Sequence, residues 1–383
     1  MDYVKKAKGT IQHDKLIFSC RSTIDDNFTD VIWYSKNDIE KTYFQMSNTS
    51  IVRFYNKKSA YKHSYKVYYF DYLIGILELG YKGKYSKYIK FTVDNPVFYN
   101  GTLPFLLFVL SDLYLEMTNI SQLDIAIDNY SQNSIKKLYS CIRNEKYQLL
   151  LNRKYVKDMD KVINEIVYWN KGSRRNPNQI KSICAKSAKG DKEFTTYDKT
   201  KEIETESDKY NILNYHRLYN PDFVNIYRDE VRLGEDILKR YEKEYGKITL
   251  EMLLDKRFLF MLFQKFEQRI LAVRDSKDKP VELYPTPCFE NRAEVMLQHH
   301  LPVEVPTVPP SLEIANNKSI YKKNKENTMR TTRKLSAETK RKISESLKGA
   351  KNPNFGGLSP QHRNNIRIAM LHHWETVKKE IID

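Results

Sequence analysis

The sequence is poor in cysteine and contains no long apolar segment. Its four cysteines are scattered, and no two of them form a CxxC pair, so neither a zinc knuckle nor a disulfide framework is indicated. The longest apolar run, LPFLLFVL at 103–110, is far shorter than the roughly 18 residues of a membrane-spanning helix, and no signal peptide opens the chain. We therefore expect a soluble, cytoplasmic protein without a membrane partner.

Acidic residues are also in deficit. The 383 residues include 65 Lys and Arg but only 48 Asp and Glu, which gives a formal net charge of +17. Such a charge favours an anionic partner, and nucleic acid is the commonest one. The hydrophobic content of 40% still supplies a core, and the length allows two domains or one large domain with appendages.

The periodicity of apolar residues predicts an α+β fold for residues 1–280. Short alternating segments rich in β-branched and aromatic residues predict an antiparallel sheet, and later apolar residues at three- and four-residue spacing predict flanking helices. The predicted strands are 15–20, 50–55, 65–70, 88–93, 121–128 and 163–169, and the predicted helices are 105–117, 134–143 and 235–275.

Two further regions follow this domain. Six of the 13 prolines lie within 285–310, a density that forbids regular structure and predicts a semi-rigid linker over 281–315. The tail, 316–383, is strongly basic, since its first 36 residues hold twelve Lys or Arg against three Glu.

The strand SQLDIAID, at 121–128, is the centre of the predicted sheet. Its alternation turns three aliphatic residues to one face and Asp124, Ala126 and Asp128 to the other. A carboxylate in a sheet is costly unless it meets a cation, so this pattern indicates a functional site. The alternative is that one Asp ends the strand and the other caps a turn.

Two later segments place further polar residues on strand faces. In EFTTYDKTKE, at 193–202, alternation aligns Thr195, Tyr197 and Lys199. In NIYRDEVRL, at 225–233, it aligns Arg228, Glu230 and Arg232. A carboxylate between two guanidinium groups is suited to hold phosphate beside a metal, and it is equally typical of a surface ladder of ion pairs.

These three segments, in this order, resemble the trans-acting Rep family, the replication initiators of rolling-circle plasmids. The matching residues are LDIAID at 123–128, YDKTKE at 197–202 and RDEVRL at 228–233, within a resemblance over about 85–270. The resemblance implies that Tyr197 is the nucleophile and that Asp124 and Glu230, with Asp128 beside them, bind Mg²⁺ or Mn²⁺. Lys199 is then expected to lower the pKa of the phenol or to hold the scissile phosphate.

The implied activity is nicking of one strand at a replication origin, which leaves a 3′-hydroxyl for the polymerase and a 5′-phosphotyrosine on the protein. Tyrosine suits such a reversible reaction because its pKa near 10 makes phenolate a tolerable leaving group. The expected partners are origin DNA, single-stranded and duplex, with a host helicase and polymerase, and an oligomer is left open. A non-catalytic origin-binding protein and a transfer relaxase are the alternatives.

The sequence departs from the family pattern in several places. Thr195 stands where the family usually has a basic residue, Arg232 stands where it has a second acid, and a basic stretch at 172–192, predicted as a loop, replaces a glycine-containing segment. Tyr168 is a rival nucleophile. No HxH pair occurs, which argues against the nickases that use one.

The tail contains a repeat. LSAETKRKISESL, from Leu335, matches LSPQHRNNIRIAM, from Leu358, at an offset of 23, and KGAKNPNFGG lies between them. This segment resembles the small DNA-binding modular repeats appended to homing endonucleases, although the chain has neither a GIY…YIG pair nor an HNH cluster. A solvated tail without DNA contacts is the alternative. The residues expected to contact DNA are Arg174, Arg175, Arg228, Arg232, Lys340, Arg341, Lys342, Lys348 and Lys351.

Overall fold

The computed structural model describes residues 6–23, 43–46, 48–57, 59–81, 89–170, 179–187, 189–207 and 209–294. The predicted α+β fold is confirmed in these residues, where an antiparallel sheet of eleven strands carries helices. The strands are β1 (Gly9–Ser22), β2 (Tyr43–Met46), β3 (Thr49–Phe54), β4 (Tyr61–Tyr69), β5 (Tyr72–Tyr81), β6 (Ile89–Val93), β7 (Leu115–Asn129), β8 (Gln148–Leu151), β9 (Lys154–Tyr155), β10 (Val167–Trp169), β11 (Ile180–Lys186), β12 (Lys192–Asp198), β13 (Tyr227–Gly234) and β14 (Leu271–Arg274). The order of the strands in the large sheet is β10-β11-β12-β13-β7-β1-β6-β5-β4-β3-β2, and a smaller sheet has the order β14-β8-β9.

The helices contribute the apolar faces that cover the sheet. They are α1 (Phe105–Asp112), α2 (Ser134–Arg143), α3 (Met159–Ile166), α4 (Lys199–Glu202), α5 (Tyr210–Arg217), α6 (Glu235–Tyr245), α7 (Leu250–Leu254) and α8 (Lys256–Ile270). Helix α8 packs against the central strands β1, β7, β12 and β13, and it buries Leu262, Phe263 and Phe266 completely. No helix among the described residues is both long and apolar enough to cross a bilayer.

Strand β7 has the two faces that its alternation predicts. Leu123, Ile125 and Ile127 are fully buried in the core, and β7 pairs with β1 on one side and with β13 on the other. Burial on both edges and on the apolar face fixes its register, because a slip of one residue would turn the carboxylates into the core.

Four predicted elements differ from the structure. The segment predicted as helical over 235–275 is divided into α6, α7 and α8 and ends in strand β14. The helix predicted over 105–117 ends at Asp112, because Tyr114 adopts a positive φ of 51° and the chain re-enters the sheet at Leu115. The first half of the strand predicted over 163–169 is helix α3, whose N-terminus is capped by the Asp158 side chain. The basic stretch predicted as a loop contains strand β11, which buries apolar side chains between polar ones.

The domain continues beyond its predicted end at residue 280. Leu283 and Tyr284 are buried, and the Cys288 amide donates a 2.9 Å hydrogen bond to the Gly9 carbonyl at the edge of β1. Residues 281–294, predicted as the start of the linker, therefore pack onto the sheet domain. The rest of the predicted linker and the whole predicted tail lie outside the described residues.

The stability of this domain should depend on the ionisation of Glu267. Glu267 is buried on α8 and accepts a 2.5 Å hydrogen bond from the Tyr284 hydroxyl, and burial raises its pKa from 4.5 to about 8. Between these values the folded protein holds a proton that the unfolded chain has lost, so the free energy of unfolding falls as pH rises. Glu267→Gln should remove this dependence.

The measurement is urea unfolding of both proteins between pH 5 and pH 8. Relative to Glu267→Gln, the wild type should lose on the order of 3 kcal/mol across this range, at up to about 1.4 kcal/mol per pH unit. Burial also raises the pKa of Asp229 to about 7, but Asp229 is present in both proteins, so its own titration largely cancels. A constant difference between the two proteins would contradict the assigned shift.

Candidate active site

The polar residues predicted from the three segments lie on one face of three adjacent strands. Across the β7–β13 pair, Asp124 faces Arg232 and Asp128 faces Arg228, and across the β12–β13 pair Tyr197 faces Arg228. Because neighbouring residues in register point the same way, β7, β13 and β12 bring these side chains together over one part of the sheet.

A row of contacts leads from the phenol to the acidic residue of β7. The Tyr197 hydroxyl donates a hydrogen bond to Glu230 Oε2 at 3.2 Å, and Arg232 Nη2 lies 3.6 Å from Glu230 Oε1. Arg232 Nε then donates to Asp124 Oδ2 at 3.1 Å. The Gln122 side-chain amide donates to both oxygens of Asp124 at 3.0 Å. Phenol, two carboxylates and one guanidinium thus form a continuous group.

Burial governs the ionisation of this group. It raises the pKa of the Tyr197 phenol well above its ordinary value, and the adjacent Glu230 charge raises it further. Burial also raises the pKa of Glu230, with the charge of Asp14 adding to the effect, and it raises the pKa of Asp124. The phenol is therefore protonated at neutral pH and needs a base, and Glu230 is the carboxylate in hydrogen-bonding contact with it.

Arg228 and Asp128 form a buried ion pair on the same face, beside this row. Arg228 Nε and Nη2 each lie 2.7 Å from a different oxygen of Asp128, and both side chains are fully buried. Gln12 donates to the same carboxylate, and His216 Nε2 lies 3.0 Å from it. Burial alone raises the pKa of Asp128, but the charges of Arg228 and His216 hold it well below its usual range.

Two of the sequence-based roles do not agree with this burial. Arg228 was expected to contact DNA, but it has no exposed surface and also contacts Asp14 and the Tyr99 hydroxyl. Asp128 was expected near the metal, but a bidentate guanidinium already occupies both of its oxygens. Their ion pair joins β7 to β13 beside the polar group on the same face.

Lys199 reaches the site from a helix and not from the predicted strand. Strand β12 ends at Asp198, whose side chain caps α4, and Lys199 is the first residue of this helix. Its ammonium lies 5.7 Å from the centre of the Tyr197 ring and 2.7 Å from Glu202, and the side chain is 3% exposed. Burial lowers the pKa of Lys199. Its charge therefore stands beside the phenol ring.

The rival Tyr168 lies on the same face, further toward the sheet edge. Tyr168 on β10 faces Ser182 on β11, which in turn faces Tyr197. Its side chain is 48% exposed. The phenol in contact with a carboxylate of the group above is that of Tyr197.

The sequence patterns missed three residues that support the site. Asp14 lies at a β-bulge of β1, accepts a 3.0 Å hydrogen bond from the Tyr99 hydroxyl and contacts Arg228. Gln12 and His216 complete the surroundings of Asp128. Each lies outside the matched segments, and a bulge disrupts the alternation that would have indicated Asp14.

The carboxylates do not form a ready-made divalent metal site. Asp124 and Glu230 both lie against the Arg232 guanidinium, at 3.1 Å and 3.6 Å. The described residues contain no group of three or more His, Cys, Asp or Glu arranged to hold a metal ion. The Mg²⁺ or Mn²⁺ expected from the Rep resemblance therefore does not fit the residues as they stand, and it stays a prediction.

The remaining residues expected to contact DNA lie outside the described residues. These are Arg174 and Arg175 in the basic stretch and Lys340, Arg341, Lys342, Lys348 and Lys351 in the tail.

Comparison with known protein families gives a match in the tail. The NUMOD3 motif, a nuclease-associated modular DNA-binding motif, matches residues 333–364, where the repeat was predicted. No curated protein matches the chain. The chain thus carries a DNA-binding motif of a kind associated with nucleases, and this match does not extend to the sheet domain that holds Tyr197.

Proposed function

We propose that the sheet domain breaks one strand of DNA through Tyr197, as a replication initiator does when it nicks an origin, and that the tail binds the flanking duplex. The observation that carries the proposal is the 3.2 Å contact between the Tyr197 hydroxyl and Glu230, with the Arg232 guanidinium on the other side of the same carboxylate. A nucleophile, a base and a cation thus lie side by side.

The reaction is a transesterification. Glu230 takes the phenol proton, and the phenolate oxygen attacks the phosphorus from the side opposite the 3′ oxygen. The bond from oxygen to phosphorus forms as the bond from phosphorus to the 3′ oxygen breaks, and the departing oxygen takes a proton from solvent. The products are a 3′-hydroxyl and a 5′-phosphotyrosine. The phosphotyrosine bond keeps the energy of the broken linkage because no hydrolysis takes place, so the reverse reaction rejoins the strand.

DNA is the substrate class that the whole chain favours. A net charge of +17 attracts a polyanion, and the motif at 333–364 is a DNA-binding one. The 3′-hydroxyl would prime synthesis by a host polymerase, after a helicase separates the strands. Rolling-circle replication from a plasmid, phage or integrated origin is the process that this product serves.

A second candidate function is binding of origin DNA without cleavage. The observation that favours it is the raised pKa of the Tyr197 phenol, because a half-buried phenol that donates to a carboxylate also forms a stable structural hydrogen bond. In that case the tail alone engages DNA, and the sheet domain serves as a scaffold.

The test is detection and mapping of a covalent complex. The full-length protein is incubated with labelled single-stranded DNA and with its supercoiled replicon, with and without divalent metal, and is then denatured. We expect a nucleotide-bearing protein whose tryptic peptide carries the nucleotide on Tyr197. A nucleotide on Tyr168, or DNA binding without any covalent product, would contradict the proposal.

Removal of the tail should weaken duplex binding while sparing cleavage. Deleting residues 331–383 removes the matched motif and its cluster of cations, so we expect duplex affinity to fall by at least about tenfold at moderate salt and its salt dependence to become shallower. The variant Lys340→Gln/Arg341→Gln/Lys342→Gln should show the same trend within the full chain. Fluorescence anisotropy against salt concentration measures both, and unchanged binding would refute a DNA-binding role for the tail.

A further inference from the structure

We propose that Arg232 binds the phosphate beside Tyr197 and replaces the divalent metal between Asp124 and Glu230. This inference rests on the proposed function for the identity of the phosphate, and its structural part can be tested without any cleavage. It assigns to this chain a cation different from the one that its resemblance to the Rep family implies.

The Arg232 guanidinium lies among three carboxylates. Arg232 Nε contacts Asp124 Oδ2 at 3.1 Å, Nη2 lies 3.6 Å from Glu230 Oε1, and Nη1 lies 3.9 Å from Glu193 Oε2. A metal ion shared by Asp124 and Glu230 would need carboxylate oxygens within about 2.0–2.6 Å, at the place where the guanidinium now lies. Metal and guanidinium therefore compete for one position.

The second step is the hydrogen-bonding capacity that Arg232 retains. Its Nε is used by Asp124, but the distances from Nη1 and Nη2 to carboxylates exceed those of a hydrogen bond. Within the described part of the chain, neither Nη1 nor Nη2 donates a hydrogen bond to any residue. The side chain is 48% exposed, so an anion can reach it from solvent.

The third step is the match between these donors and a phosphodiester. A guanidinium presents its N–H groups as a planar fork that fits two phosphate oxygens, and it keeps its charge at every physiological pH. In the register, Glu230 lies two residues before Arg232 on β13 and contacts both it and Tyr197. A phosphate bound by Arg232 would therefore lie over Glu230, next to the attacking oxygen.

Arg228 provides the contrast that makes Arg232 the phosphate ligand. Both arginines lie on β13 and point to the same face, but Arg228 is fully buried with its donors on Asp128, Asp14 and Tyr99. Arg232 is half exposed, and only its Nε is used. The difference arises from position, because Arg228 faces the covered part of the sheet and Arg232 the open part.

Manganese binding tests the structural part. Full-length protein is titrated with Mn²⁺ while free Mn²⁺ is followed by its electron paramagnetic resonance signal. Arg21→Gln is the matched control, because Arg21 is an exposed arginine that pairs with Glu116. We expect the wild type to bind no more Mn²⁺ than this control. Arg232→Gln should gain one bound ion, and adding Asp124→Asn should remove it. Wild-type binding that Asp124→Asn abolishes, or no gain in Arg232→Gln, would overturn the proposal.

Adduct formation tests the functional part. In the presence of a chelator, the wild type should form the covalent complex within about twofold of its rate with Mn²⁺, while Arg232→Gln should be slower by about 100-fold or more. Mn²⁺ should restore part of the rate in Arg232→Gln. Loss of the wild-type adduct on chelation, with recovery on adding Mn²⁺, would overturn the proposal. If no condition gives an adduct, the proposed cleavage fails, and the manganese titration still decides which cation the site holds.

Discussion

Replacing Arg228 by methionine is expected to lower the free energy of unfolding by about 3–5 kcal/mol, the largest stability effect of any substitution in the site. The guanidinium is fully buried and is bidentate to Asp128, so its removal leaves a buried carboxylate facing an apolar side chain. Asp14 and the Tyr99 hydroxyl lose the same partner. Urea unfolding at neutral pH measures the change.

Two further variants separate the ion pair from the bulk of the side chain. Arg228→Met/Asp128→Leu removes both charges, and it should recover part of the loss because no unpaired carboxylate remains. Arg21→Met breaks an exposed pair with Glu116 and should leave the free energy of unfolding nearly unchanged, because solvent screens that pair. If Arg228→Met costs as little as Arg21→Met, the buried pair does not hold the two strands together.

The alternation of residues in β7 and β13 was sufficient to predict which side chains share a face. This succeeded because both strands lie inside the sheet, where one face packs on the core and the period of two is strict. The alternation over residues 123–128 therefore predicted correctly that Asp124 and Asp128 share a face. The alternation does not indicate how deeply a side chain is buried. Arg228 and Arg232 are therefore predicted to have the same role, although Arg228 is buried and Arg232 is half exposed.

Residues that enter the site from irregular positions could not be predicted in this way. Asp14 lies at a bulge. Lys199 lies in the first turn of a helix, although its two-residue spacing from Tyr197 predicts a strand. Helix α1 ends where Tyr114 adopts a positive φ, and a tyrosine in the sequence does not predict this conformation. These positions depend on tertiary packing, and tertiary packing is not encoded in a local period.

The phenol proposed as the nucleophile contacts a carboxylate and not a cation. The closest partner of the Tyr197 hydroxyl is Glu230, while Lys199 lies against the ring and is paired with Glu202. The contact with Glu230 favours the protonated phenol at rest. In the proposed mechanism a positive charge near the phenol would favour its ionisation, so cleavage by Tyr197 would depend on the Arg232 guanidinium that binds the phosphate.

Tyr197→Phe is expected to abolish the covalent complex, with a loss of at least about 10⁴-fold, because the substitution removes the attacking atom itself. The fold should survive, since one hydrogen bond to Glu230 contributes only about 1 kcal/mol. Affinity for duplex DNA should also be kept, because the NUMOD3 motif lies at residues 333–364. Denaturing gels of protein incubated with labelled single-stranded DNA measure the adduct, and thermal unfolding checks the fold.

Tyr168→Phe is the matched control for this loss. Tyr168 lies on the same face of the sheet as Tyr197, with Ser182 between them in the register, and it is 48% exposed. Its substitution removes a hydroxyl on the same face but leaves the contact between Tyr197 and Glu230 intact, so the adduct should form within about twofold of the wild-type rate. If Tyr168→Phe loses the adduct and Tyr197→Phe keeps it, the nucleophile is Tyr168. If both variants keep it, neither phenol is the attacking group.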